Sequence, residues 1–199
     1  GWDRETFALA MAIQNLLWGL MMPVAGILAD RYGYVLVIIS GALVYAFGIW
    51  GMAVTDSATI LYLTAGVLTG AGVSFTSFTL ISTAMVRVVG PEKRSLVFGI
   101  GTAATSFGQV LFSPITQGVI DGYGWESGLF FLLFSTLIIL PLALLLPFSP
   151  GVKGEEETDQ TISEAIREAT RHRGYILLTA GFFVCGFHVA FIGIHFPAY

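Results

Sequence analysis

Ser127-Gly-Leu-Phe-Phe-Leu-Leu-Phe-Ser-Thr-Leu-Ile-Ile-Leu-Pro-Leu-Ala-Leu-Leu-Leu-Pro-Phe148 carries no charge, and its only polar side chains are Ser127, Ser135 and Thr136. A helix rises about 1.5 Å per residue, so roughly 20 apolar residues cross a hydrocarbon core of about 30 Å. A membrane β-barrel strand would alternate polar and apolar positions, and Leu129–Phe134 shows no alternation. The stretch therefore reads as a membrane-spanning helix facing lipid. Five more uncharged runs accompany it, at 6–29, 32–55, 57–86, 95–120 and 174–199. The fold class is all-α: a polytopic transmembrane helical bundle with six spans.

Composition agrees. Of 199 residues, 55% are apolar and 11% charged, with mean hydropathy +0.81, whereas a soluble domain carries about 25% charge. The net charge of −4 comes without a basic face, which argues against nucleic acid as a partner. Cys185 is the only cysteine, so an internal disulfide and a cysteine-based zinc site are both excluded. No basic stretch precedes an apolar core at Gly1, so no signal peptide is expected. The last apolar run is uninterrupted at Tyr199, and both ends are expected to be truncations.

Basic residues in short loops mark the cytoplasmic side. With 6–29 entering from outside, Arg31, Arg87, Lys93, Arg94, Lys153, Arg167, Arg171 and Arg173 fall inside and only Arg4 outside. The 149–174 loop opens on Pro150-Gly151 and the acidic run Glu155–Glu157, which reads as a solvated spacer. Thr161–Arg173 then reads as a short amphipathic helix: Thr161 and Glu164 have capping-box spacing, and Ile162, Ala165, Ile166 and Ala169 form one apolar stripe.

Two runs carry polar stripes. In 57–86, Thr69, Gly72, Thr76, Thr79 and Thr83 recur at helical spacing, while Gly66, Gly70 and Ser74 form a ladder of small residues that permits close helix contact. In 95–120, Thr102, Ser106, Gln109, Ser113 and Thr116 make one stripe, and Gly101, Ala104 and Gly108 another. Such hydroxyls either line a polar interior or bond back to their own helix carbonyls. Gln14 and Trp18 share a face in 6–29 and, with Asn15, suit helix packing. The string Gly99-Ile-Gly101-Thr-Ala-Ala104 fits a dinucleotide fingerprint, but no strand precedes it. No cofactor or metal is implied.

Gly26-Ile-Leu-Ala-Asp30-Arg31-Tyr-Gly33 resembles the signature loop of the major facilitator superfamily, G-x-x-x-D-R-x-G-R-K. Tyr34 and Val35 stand where that pattern has two basic residues. The resemblance implies a cytoplasmic loop between the second and third of twelve helices, with Gly26, Asp30, Arg31 and Gly33 forming a conformational latch between halves. Lys93-Arg-Ser-Leu-Val-Phe-Gly99-Ile-Gly101-Thr-Ala-Ala-Thr-Ser-Phe-Gly108 is similar to the loop and fifth helix of the monocarboxylate transporter and oxalate–formate antiporter-like branch. The R-x-x-Q-G pattern of proton-driven drug exporters is unmatched, with Gly66 and Thr69 in its places before Gly70.

On this resemblance the chain covers the second to seventh helices: 1–148 the N-terminal half without its first helix, 149–174 the cytoplasmic inter-half loop, and 175–199 the first helix of the C-terminal half, truncated. The family's fourth helix, at about 59–87 here, lines the central pathway, so the threonine stripe becomes a candidate lining. The candidate pathway residues are Thr69, Thr76, Thr79, Thr83, Gln109, Ser113 and His188. His188 lies about 20 Å along its run from Tyr175, a depth at which ionisable groups are functional suspects. An imidazole there can bind a carboxylate when protonated or stay neutral beside one partner, and His195 is less informative. The family's carboxylate-binding arginine does not transfer onto Arg87, which reads as a cytoplasmic charge.

The resulting expectation is a multi-pass cell-membrane protein, not an enzyme. It is a secondary active transporter of a small organic anion, a monocarboxylate in the first instance, with protons as a candidate second partner. A transporter of another solute such as a drug or sugar, and a non-transporting membrane sensor, remain the alternatives.

Overall fold

The computed structural model describes residues 3–146 and 162–195, which are helical almost throughout and contain no β-strand. They belong to two compact units, divided between Val152 and Lys153.

In the first unit, α1 (Arg4–Tyr32) and α2 (Tyr34–Val54) are followed by a third long passage, Ala58–Val89. This passage comprises α3 (Ala58–Leu61), a π-helical segment (Tyr62–Leu68), α4 (Thr69–Phe75) and α5 (Phe78–Val89). A short 3₁₀ turn at Pro91–Lys93 leads into α6 (Arg94–Tyr123), then α7 (Trp125–Leu137) and α8 (Ile139–Ala143). The second unit holds α9 (Ile162–Arg171) and α10 (Arg173–His195). Six of these passages are long and apolar enough to cross a membrane, the number read from the uncharged runs.

The turns are tight because glycines make them. Gly33 alone separates α1 from α2, with φ 91°, and its N–H reaches the Ala29 carbonyl at 2.9 Å. Gly124 does the same between α6 and α7 with φ 87°. Positive φ is strained for any residue with a Cβ, so these two positions allow each chain reversal to use a single residue.

α4 is wedged between α1 and α2 by small residues on both sides. A Cβ on Gly70 would stand 2.7 Å from the Gln14 carbonyl oxygen, and one on Gly66 2.8 Å from the Ile13 side chain. Opposite, a Cβ on Gly72 would stand 2.5 Å from the Tyr45 nitrogen. With little hydrophobic force between helices in lipid, such backbone approach is a principal source of helix association. The expected ladder of Gly66 and Gly70 is thus a contact surface, and Gly72 is a contact on the other side.

Two apolar clusters complete the unit. Ala29, Val37, Ile38, Leu80 and Ala143 join α1, α2, α5 and α8, and Ala10, Leu61 and Ala65 join α1 to the start of the third passage. Outward positions are large and apolar, with Phe107, Val110 and Phe134 among the most exposed, as a lipid-facing surface requires. α7 is lipid-facing on one side only, because Gly128 packs against Ile120 and Thr136 is buried.

One expectation needs correction. The third passage is not one continuous helix, since it opens into a π-helical segment and breaks at Thr76–Ser77, where the Ser77 side chain caps α5 by accepting the Leu80 N–H. In α6, Gly101 packs against the Phe78 ring, while Gly108 has open space where a Cβ would stand. α9 matches the expected 161–173 helix closely. Its expected cap Thr161, the side chains of Ile162, Ala165 and Ile166, and the acidic run 155–157 lie outside the described residues.

Candidate functional site

The last turn of α1 and the last turn of α5 meet at the same end of the bundle. There the Arg87 Nη2 donates to Asp30 Oδ1 at 2.9 Å, across 57 positions of sequence. Tyr34, the first residue of α2, completes the group. Its hydroxyl donates to the same Oδ1 at 3.3 Å, and the Arg87 guanidinium carbon lies 4.9 Å from its ring centroid. Because Gly33 turns the chain in one residue, Tyr34 stands beside Asp30 rather than a loop length away. The Asp30 and Arg87 side chains are 50% and 40% exposed, so the pair is geometrically specific but only modestly stabilising.

Beside this pair opens a cavity of about 200 Å³, lined by Met22, Gly26 and Asp30 of α1, Tyr34 of α2, Ser77 at the break, and Thr79, Leu80, Thr83 and Arg87 of α5. Two groups of residues that the sequence treated separately, the latch loop and the lower threonines, therefore share one cavity. The break at Thr76–Ser77 separates the upper threonines from it. Thr69 is buried, and its hydroxyl donates to the Thr64 carbonyl at 2.9 Å within the π-helical segment. Thr76 donates to the Gly72 carbonyl and Thr83 to the Thr79 carbonyl.

The back-bonding alternative thus describes the hydroxyls of Thr69, Thr76 and Thr83, as it does Thr102 on α6. Thr79 is exposed in the cavity wall. Gln109 and Ser113 are exposed on α6 and do not line this cavity. In α1, the Asn15 amide bonds back to the Met11 carbonyl. Arg31 places its guanidinium over the Tyr32 ring at 5.4 Å. In the second unit, His188 Nδ1 lies 3.0 Å from the Val184 carbonyl and the ring meets Phe187 edge-on. A carbonyl only accepts, so Nδ1 carries a proton there. The His195 side chain lies outside the described residues.

Arg87, Tyr34 and Ser77 are the site residues the sequence reading missed. The signal for Arg87 was present: Thr79, Thr83 and Arg87 follow i, i+4, i+8, so the arginine continues the threonine face.

This pairing joins the Asp30 loop to the third span, and the whole chain, residues 1–199, matches the family model described as Major Facilitator Superfamily. The chain belongs to the Major Facilitator Superfamily. Curated relatives narrow the likeness. The chain is 27% identical over 148 residues to monocarboxylate transporter 7 of Homo sapiens, covering 74% of this chain and 28% of that protein. It is 30% identical over 146 residues to monocarboxylate transporter 3 of Gallus gallus, covering 72% of this chain and 26% of that protein. A 32% identity to monocarboxylate transporter 3 of Mus musculus covers 59% of this chain and 23% of that protein. The chain thus spans little more than a quarter of the human and chicken relatives. As a member of the superfamily it is a multi-pass membrane protein of a transporter family, not of an enzyme family.

Proposed function

We propose that this major facilitator chain is part of a secondary active transporter in the cell membrane that moves a small organic anion, a monocarboxylate in the first instance, by alternating access of two helical halves. The observation that carries this reading is the likeness to monocarboxylate transporters across about three quarters of the chain. Residues 1–148 form the N-terminal half without its first helix, 149–174 the cytoplasmic connection, and 175–199 the opening helix of the second half.

The Asp30–Arg87 pair supports a latch at the cytoplasmic end. Arg31, Arg87, Lys93 and Arg94 all cluster at that end of the bundle, in keeping with the positive-inside rule. Gly26 and Gly33 serve the latch as space and turn, and Asp30 as its charged centre. Thr79 and Thr83 line the cytoplasmic mouth. Thr76, Gln109, Ser113 and His188 belong to the candidate pathway of the whole protein, and Thr69, buried with its hydroxyl held by the Thr64 carbonyl, supports the helix behind it. His188 is tested by His188→Gln, with uptake of labelled carboxylate as the readout.

Uptake of labelled lactate, pyruvate, oxalate and formate by proteoliposomes holding the complete gene product, with and without an imposed pH gradient, tests the reading. Gradient-driven accumulation of one acid is the expected result. No accumulation of any acid by folded protein would overturn the carboxylate assignment, and competition by a panel of drugs and sugars would then identify another solute class.

A further inference from the structure

Two side chains, from the second and third spans, converge on Asp30 Oδ1 of the first. Arg87 of α5 donates to it at 2.9 Å, and Tyr34 of α2 donates to it at 3.3 Å. The second bond is long for O–H···O, whose usual distance is about 2.7–2.8 Å. The ring contact is better formed, because the guanidinium carbon at 4.9 Å from the Tyr34 centroid lies well within cation–π range. Tyr34 also packs against the apolar cluster of Ala29, Val37, Ile38 and Leu80. Its ring is therefore held from one side by the bundle and presented to Arg87 on the other.

A half-exposed ion pair between two long side chains is ordinarily mobile and weak. Here one partner rests on a fixed aromatic surface, and the same aromatic residue touches the other partner. We propose that Tyr34 is a positioning residue that holds Arg87 of α5 on Asp30 of α1, so that one aromatic side chain ties the same-side ends of α1, α2 and α5 and closes the cavity they share. The inference rests on the latch reading of the Asp30 loop, although its test needs no transported substrate. It accounts for tyrosine at a position where the superfamily's loop pattern has a basic residue: the cation comes from α5, and position 34 supplies the surface beneath it.

Thiol accessibility in the complete gene product tests this, with every native cysteine, Cys185 included, replaced by serine as background and Thr83→Cys as a reporter in the cavity wall one turn from Arg87. Tyr34→Ala should raise the rate of labelling by a water-soluble maleimide about threefold, the change an exposed cation–π contact carries. Tyr34→Phe, which keeps the ring, should stay close to the parent rate. Tyr34→Ala added to Asp30→Asn should raise labelling no further than Asp30→Asn alone, because Tyr34 acts through the pair.

Labelling of Tyr34→Ala at the parent rate would overturn the proposal, as would a full additive effect in the Asp30→Asn background. Should Tyr34→Ala fail to fold by size-exclusion chromatography, Tyr34→Leu, which keeps apolar bulk without a π-face, decides the matter: faster labelling supports the clasp, and the parent rate sinks it. Loss of carboxylate uptake by the parent protein would bear on the proposed function alone and would leave the labelling result standing.

Discussion

Arg87 closes α5 and Asp30 closes α1, and the 2.9 Å contact between them joins two span ends 57 residues apart in sequence. An exposed pair of this kind contributes roughly 0.2–1 kcal/mol to stability, so its value to the protein lies in which conformation it favours. An interaction made in only one of two states shifts their balance by its own free energy.

Asp30→Asn and Arg87→Gln should therefore leave thermal stability almost unchanged while lowering uptake about fivefold, the lower end of typical coupling between conformational states. The two substitutions should be non-additive, since either one removes the whole contact. Thermal unfolding and initial uptake rates of the two single variants and the double variant check this. A double variant whose defect equals the product of the singles would show that the residues act separately.

Close packing of α4 makes a contrasting prediction about stability. A Cβ at Gly72 would meet the Tyr45 backbone at 2.5 Å, whereas one at Gly108 meets nothing within 4 Å. Gly72→Ala should destabilise by about 1–3 kcal/mol, the usual cost of overpacking, and Gly108→Ala should be tolerated. The melting temperatures of the two variants in detergent separate these outcomes, and equal melting temperatures would contradict the packing described.

The threonines divide by environment. Thr69 is buried with its hydroxyl on the Thr64 carbonyl, so Thr69→Val should lower stability by about 1 kcal/mol, the net worth of one hydrogen bond, and leave the substrate KM alone. Thr79 lines the cavity beside Arg87, and Thr79→Val should change KM with little effect on stability. Parallel melting curves and uptake kinetics decide it. A KM shift for Thr69→Val alone would place the pathway on α4 rather than at the cytoplasmic mouth.

Legibility in the sequence followed the kind of information each feature needs. Six spans could be read because charge is excluded from hydrocarbon, a one-dimensional signal that holds from 6–29 to 174–199. The Gly66 and Gly70 contacts could be read because helix periodicity puts small residues on one face. The break at Thr76–Ser77 could not, because Thr and Ser are tolerated within membrane helices and only the local hydrogen bonds, Ser77 capping Leu80, show where the helix restarts. The pairing of Asp30 with Arg87 rather than with its neighbour Arg31 was equally hidden, since it depends on how α5 packs against α1. Period alone would have put Arg87 on the Thr83 face.

The final prediction separates two tasks the Asp30–Arg87 pair can perform. If its task is to neutralise Asp30, a cation from any helix should serve; if its task is to tie α5 to α1, the cation must come from α5. Tyr34→Arg places a long cationic side chain at a position whose native hydroxyl already reaches Asp30 Oδ1. In an Arg87→Gln background that arginine can pair with Asp30, yet it ties α1 only to α2, to which Gly33 already joins it covalently. The tie through Tyr34 and Arg87 requires that uptake stay low in the Tyr34→Arg, Arg87→Gln double variant and that labelling at Thr83→Cys stay fast. Recovery of parental uptake in that variant would assign the pair to charge neutralisation, and α5 would then be held to the bundle by its apolar packing, with Leu80 and Ile81 on the cluster and Phe78 against α6.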